Sequence, residues 1–181
     1  MLLARSHASE GFSPVSEEAD FGVIESSRFR RALGAFPSGV TVVTGRDELG
    51  PVGLTVQSFC SLSLDPPLVL LCPSLTSTSW PRISANGKLC VNILADHQGD
   101  VCRQLGRSGP RKFDGVVHAP SPRFGLPVIE GAAGWLECVV NSEADGGDHL
   151  VVTARVVSLS EPTDASPLMF WRGQFTRLVT D

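Results

Sequence analysis

From Gly39 onward the apolar positions come in short runs rich in Val, Leu and Thr, broken by Gly, Pro, Asn and Asp. Long stretches of helical periodicity are scarce. Gly39 to Gly45 (Gly-Val-Thr-Val-Val-Thr-Gly) predicts a first strand, Arg46 to Pro51 its turn, and Val52 to Ser63 a second strand that alternates in part. Leu68 to Cys72 is apolar without alternation, the pattern of a strand covered on both faces. Asp65-Pro66-Pro67 before it must be a connection, because two prolines remove two backbone donors. Lys88 to Leu94 predicts a further strand. Gly134 to Asn141 and His149 to Ser160 predict a hairpin across Asp145-Gly146-Gly147. Pro167 to Trp171 and Gln174 to Val179 predict a last hairpin across Arg172-Gly173.

Three helical segments interrupt the strands. Ser27 can cap a helix through Phe36 that carries Phe29, Leu33 and Phe36 on one face. Thr76 or Ser77 can cap a short helix through Ala85 that tolerates Pro81 early, with Asn86-Gly87 as its stop. Asp96 can cap a third to about Leu105. Residues 106–127 read as a long loop, and long ordered loops are commonly functional. Parallel-sheet alternation is absent, so the pattern predicts a mainly β, mostly antiparallel barrel with a few peripheral helices. Residues 1–26, rich in Ser and Glu and without a period, are expected to form a flexible arm. Residues 27–181 form one domain.

The net charge of -4, with no basic run, argues against nucleic acid as a partner. No apolar run reaches the length of a membrane helix, and Met1 to Ala4 is too short for a signal-peptide core. Cys60, Cys72, Cys90, Cys102 and Cys138 form an odd set, four of them inside apolar runs. They predict packing thiols in a reducing, cytoplasmic setting rather than a disulfide framework. The histidines His7, His97, His118 and His149 are too scattered for a zinc site, and no metal is expected. Dinucleotide-fold, P-loop and serine-hydrolase motifs are all missing.

The remaining candidates are individually modest. Ser77-Thr78-Ser79 follows a buried strand at a helix start, where hydroxyls and N–H groups can either cap the helix or receive a phosphate. Thr55-Val56-Gln57-Ser58 places polar groups in a strand; they suit either a wetted edge or the reading of a heteroaromatic ring. Arg111-Lys112-Phe113 can pair with phosphates or be a solvated loop with one anchor. His149, after a tight turn, can be solvated or can orient a carboxamide, and Asp148 can brace that turn.

Taken in order, Phe29-Arg-Arg-Ala-Leu-Gly-Ala-Phe36, Ser38-Gly-Val-Thr-Val-Val-Thr44, Gly53-Leu-Thr-Val-Gln-Ser-Phe59, Ser63-Leu-Asp-Pro-Pro-Leu-Val69, Lys88-Leu-Cys-Val-Asn-Ile-Leu94, Lys112-Phe113, Gly147-Asp-His149 and Pro167-Leu-Met-Phe170 resemble the flavin reductase-like, split-barrel FMN-binding family. The resemblance spans Phe29 to about Leu178. It implies an antiparallel split β-barrel that forms a homodimer. It also implies use of NADH (or NADPH) to reduce FAD (or FMN), with reduced flavin diffusing to a flavin-dependent monooxygenase. Carried onto this chain, Thr55, Val56, Gln57 and Ser58 lie along the flavin ring and ribityl chain, with Cys72 flanking them and Ser38 near the ring. Ser77, Thr78 and Ser79 fall at the flavin phosphate, and Lys112 and Phe113 approach the same cofactor. Gly147, Asp148 and His149 fall on the nicotinamide side, where His149 would be the catalytic orienting residue. Gln57 stands where many members have Asn, and Pro37 where many have Ala or Cys. Two other activities share the barrel: a flavin-holding electron-transfer or sensing protein that does not turn over NADH, and an oxidase acting on a phosphorylated pyridoxamine. The second needs a basic phosphate pocket that the sequence does not clearly supply.

Overall fold

The computed structural model describes residues 22–178, so the arm expected at the N-terminus lies outside the described residues up to residue 21. The elements run α1 (Ser26–Leu33), β1 (Ser38–Gly39), β2 (Thr41–Asp47), β3 (Gly50–Val56), β4 (Cys60–Leu64), β5 (Pro67–Leu71), α2 (Trp80–Ser84), β6 (Lys88–Ile93), α3 (Gly99–Gly106), β7 (His118–Pro120), β8 (Pro127–Ile129), β9 (Gly134–Gly146), β10 (His149–Leu159), β11 (Met169–Trp171) and β12 (Gln174–Thr176).

Seven strands form one sheet in the order β3-β2-β6-β9-β10-β5-β4, and every pairing is antiparallel. β3 and β4 are consecutive in the chain yet occupy opposite edges. Only Gln57, Ser58 and Phe59 join them, a span of at most roughly 14 Å. The two edges must therefore curl toward each other without pairing, which makes an incompletely closed, split barrel. The expected fold class is borne out.

Alternation along β2 explains why both of its faces are buried. Val43 points into one core with Val52, Leu71, Ile83, Leu89 and Val152, while Val42 points into a second with Val40, Leu94, Leu105, Ile129 and Leu168. Buried polar groups pin the strands to their loops. Asn92 Nδ2 donates to the carbonyl of Val42 at 3.2 Å, and its Oδ1 accepts from Ile129 N at 2.8 Å. The buried carboxylate of Glu137 accepts from the backbone N–H groups of Arg123 and Phe124, and from the Ser121 hydroxyl.

Several boundaries differ from the expectations above. The stretch 52–63 is two strands, because Gln57 to Phe59 leave one edge and enter the other. α1 is capped by the Glu25 carboxylate, which accepts from Ser27 N and Arg28 N, and Phe36 lies beyond its end. α2 starts only at Trp80; the Ser77 hydroxyl accepts from Trp80 N at 3.1 Å, one turn ahead of the helix proper. α3 is preceded by Gln98, not Asp96, which instead pairs with Arg177 at 3.3 Å. The long loop contains the hairpin β7–β8, and β9 runs five residues past Asn141. β5 is buried at Val69 and Leu71 but only half-buried at Leu68 and Leu70, so one of its faces is fully covered. The final hairpin turns through Arg172 (φ 48) and Gly173 (φ 81), the left-handed pair that a two-residue turn needs.

Candidate functional site

Two adjoining cavities open where β3 leaves the barrel. The first, about 910 Å³, is lined by Thr55, Val56, Gln57 and Ser58 along one wall, by Cys72 to Ser74 and Thr76 to Thr78 along another, and by Gly106 to Ser108 and Lys112 at the α3 end. The second, about 740 Å³, holds Ser38, Phe36, Arg30, Phe170, Arg172 and Asp148. Phe29, Leu33, Gln57 and His149 line both and mark where they meet.

The first wall is fixed from behind. Thr55 Oγ1 donates to the carbonyl of Cys102 at 2.8 Å, tying β3 to α3. Ser58 Oγ accepts from Cys72 N at 2.9 Å and donates to its carbonyl at 3.2 Å, tying the β3 exit to the end of β5. These hydroxyls hold the backbone in place, and Gln57, exposed at the junction, is left facing solvent. Ser74 and Thr76 hydroxyls bond each other at 2.9 Å in the next segment.

Lys112 supplies the positive charge. Its ammonium donates to the Gly53 carbonyl at 3.1 Å and to Ser79 Oγ at 2.9 Å, both neutral acceptors. Burial pushes its pKa below the ordinary lysine value, and the neighbouring Arg82 charge pushes the same way. Arg82 is itself neutralised by a bidentate pair with Asp47 (2.6 and 2.7 Å), which the guanidinium holds below the usual carboxylate range. An ammonium with two neutral partners and one N–H to spare is a fit for an anion entering from the cavity.

At the other end His149 Nδ1 lies 2.7 Å from Asp148 Oδ1. An ionised carboxylate only accepts, so Nδ1 carries the proton and Nε2 of the neutral ring is left as an acceptor. The hydrogen bond from His149 lowers the Asp148 pKa most, the charge of the protonated His149 ring lowers it next, and the Arg30 charge contributes least. The β9–β10 hairpin sets this pair in place: Gly147 turns at φ 81, and the carbonyl of Asp148 accepts from Leu75 N at 3.0 Å.

Of the residues expected at the site, Thr55, Val56, Gln57, Ser58, Cys72, Ser77, Thr78, Lys112 and His149 line the first cavity, and Ser38 and Asp148 the second. Ser79, Phe113 and Gly147 line neither. Ser79 is buried behind Lys112, and Gly147 shapes the turn. Phe113 packs on the second core and edge-on to His118. Pro73, Ser74, Arg107, Ser108 and Arg172 were not among the expected site residues, although Cys72 stands beside the first two, the long loop at 106–127 covers the next two and Arg172 falls in a predicted hairpin turn. The thiols divide as well. Burial pushes Cys90 and Cys138 up to about 12, as inert packing groups, whereas Cys60 is exposed and Cys72 half-buried, against the expectation that all four strand thiols pack inside. Among the described residues no group of His, Cys, Asp and Glu could hold a metal ion.

The barrel and its cavities have close counterparts. The family model described as "Flavin reductase like domain" matches residues 33–179. The chain is 46% identical over 158 residues to the flavin-dependent monooxygenase reductase subunit HsaB of Rhodococcus jostii, covering 87% of this chain and 80% of that one. It is 40% identical over 154 residues to the NADH-dependent FMN reductase SmoA of Agrobacterium fabrum, covering 84% and 87%. The structure superposes on the Streptomyces globisporus NADH:FAD oxidoreductase SgcE6, solved with NAD and FAD fragments, with a TM-score of 0.82 at 33% identity over 87% and 94% of the two chains. By sequence and by fold, this chain belongs to the flavin reductase-like domain family.

Proposed function

We propose that this protein is the NADH-dependent flavin reductase of a two-component system, reducing FAD or FMN and releasing it to a flavin-dependent monooxygenase. The observation that carries this is the pair of cavities meeting at Gln57 and His149, with the lysine-and-hydroxyl cluster in the first and the Asp148–His149 pair at the junction. A volume of about 910 Å³ suits a fused tricyclic ring with its side chain, and Lys112, Ser77 and Thr78 suit its phosphate. A flavin held along Thr55 to Ser58 with its phosphate at Lys112, Ser77 and Thr78 would, when bound, supply the hydride-accepting chemistry, and a dihydronicotinamide at His149 the hydride.

The chain's own residues position and shield. Thr55, Gln57 and Ser58 form one polar wall, Phe29 and Leu33 an apolar one, and Lys112 anchors the anion. Asp148 holds His149 in one tautomer, so that Nε2 can accept from the carboxamide N–H of the nicotinamide. No proton transfer by a side chain is needed in the hydride step. Because reduced flavin must leave, a micromolar affinity is expected, on the order of -8 kcal/mol.

The working species is a homodimer. α1 has no buried residue, and its Phe29 and Leu33, with Phe36 beyond, are 53%, 58% and 76% exposed. An eight-residue helix with its apolar face in water is marginal, and a second copy covering that face would also add a wall to both cavities, which Phe29 and Leu33 line. No helix among the described residues is long and apolar enough to cross a membrane, and five free thiols suit the cytoplasm.

The test is NADH oxidation followed by absorbance, with FAD, FMN or no flavin, and then with NADPH. Turnover that requires added flavin is expected. Silence with every combination sinks the reading.

A further inference from the structure

Three arginines gather where α1 ends against the β11–β12 turn. Arg30, Arg31, Gly34, Ala35, Arg172 and Gly173 line a hollow of about 480 Å³ that contains no acidic residue among the described ones, in a chain whose net charge is -4. Arg30, Gly34, Arg172 and Gly173 also line the second cavity, so the hollow continues into the one that ends at Asp148 and His149. Among the described residues neither Arg30 nor Arg172 has a carboxylate within salt-bridge distance, although Arg82, Arg103, Arg111 and Arg177 all do.

The placement of Arg172 is built rather than incidental. It is the only non-glycine residue at positive φ among those described, a conformation that costs an arginine on the order of 1 kcal/mol. Its N–H donates to the Gly34 carbonyl at 3.0 Å, joining the turn to the C-terminal cap of α1. Its guanidinium lies 4.5 Å from the Trp171 ring centroid, and Trp171 Nε1 donates to the carbonyl of Ala35 at 3.1 Å. Among its described lining residues the second cavity thus carries two guanidinium groups, Arg30 and Arg172, against one carboxylate, Asp148, whose pKa the Arg30 charge lowers. The balance of charge there favours an anion.

We infer that Arg30 and Arg172 form the subsite for the phosphate groups of the reduced nicotinamide dinucleotide, leaving its nicotinamide to reach His149 at the junction with the first cavity. The inference rests on the reductase reading above and adds the residues that select the cosubstrate. Guanidinium forks match phosphate oxygens in pairs, and Lys112 is left to the flavin phosphate in the other cavity.

The experiment compares wild type with Arg30→Gln, Arg172→Gln and Arg172→Gly. Glycine at 172 accepts the turn's φ without strain, so that variant keeps its thermal midpoint and isolates loss of the guanidinium. Each variant is expected to raise KM for NADH roughly five- to twentyfold, with kcat and flavin KM within about twofold of wild type. The dependence of that KM on ionic strength should flatten as well. Reduced nicotinamide riboside, which carries no phosphate, should be affected much less. Equal losses with NADH and NADPH assign the diphosphate, and a larger loss with NADPH assigns the 2′-phosphate. A rise in flavin KM with NADH unchanged, or no change in either, overturns the subsite. Calorimetric titration with NAD+ reads the subsite without turnover. If wild type oxidises neither cosubstrate yet binds NAD+ at least about fivefold tighter than the variants, the reductase reading fails and the subsite stands.

Discussion

Lys112→Met removes a charge while nearly keeping a shape, and its effect can be worked out from three N–H groups. Two donate to the Gly53 carbonyl and Ser79 Oγ at 3.1 and 2.9 Å, and the third is free for the cavity. In the empty protein the substitution strands two neutral acceptors, at about 0.5–1.5 kcal/mol each, and relieves the cost of a partly buried ammonium. The net loss of stability should therefore be small, about 1 kcal/mol. With a phosphate present the lost contact is charge-assisted and partly desolvated, worth about 1.5–3 kcal/mol, or roughly a ten- to hundredfold rise in KM. The assay is steady-state NADH oxidation with FMN, FAD and riboflavin. FMN and FAD should suffer the full factor, while riboflavin, which has no phosphate, should change by less than about threefold. A common factor for all three flavins would refute the assignment of Lys112 to the phosphate, and no change for any would place the flavin elsewhere.

The same lysine gives a pH dependence of two opposite signs. Its folded pKa is depressed, so between that value and the ordinary lysine value the unfolded chain holds a proton that the folded chain has lost. Stability should rise with pH across that window, while FMN affinity falls through it. Lys112→Arg should abolish the fall in FMN affinity, read by fluorescence titration from neutral to alkaline pH. His149→Ala should raise KM for NADH by roughly tenfold or more and leave the flavin Kd nearly unchanged; equal losses of both would remove its orienting role. Leu71→Ala, at a fully buried position of the barrel core, should cost about 2–5 kcal/mol in denaturant unfolding, and a loss under 1 kcal/mol would contradict the packing described.

Periodicity made the barrel strands legible because β2 and β6 put Val42, Val43, Leu89 and Val91 at positions buried on one face or the other. The break inside 52–63 was illegible because Gln57, Ser58 and Phe59 include neither Gly nor Pro. What ends β3 there is the crossing between sheet edges, a tertiary event. The amphipathic face of α1 was plain in the spacing of Phe29, Leu33 and Phe36, but not that nothing among the described residues covers it. At the site, the motif order led to the wall of the first cavity, where neighbouring residues act together. Lys112 was visible as a charge but not as a partner of Ser79, 33 positions away. Arg172 carried no signal at all, since an arginine in a hairpin turn reads as solvated until the cap of α1 is folded against it.

The tethered hydroxyls of Thr55 and Ser58 bear on timing. Both bond to backbone groups of this chain, so a ligand lying on this wall has neither hydroxyl to order and its departure frees neither. Of the polar side chains on this wall Gln57 alone is left to be ordered, so binding there draws little on conformational entropy. A wall ordered in advance lets a weakly held flavin be aligned for reaction and still exchange rapidly, which is the kinetic demand on a protein whose product must be consumed elsewhere.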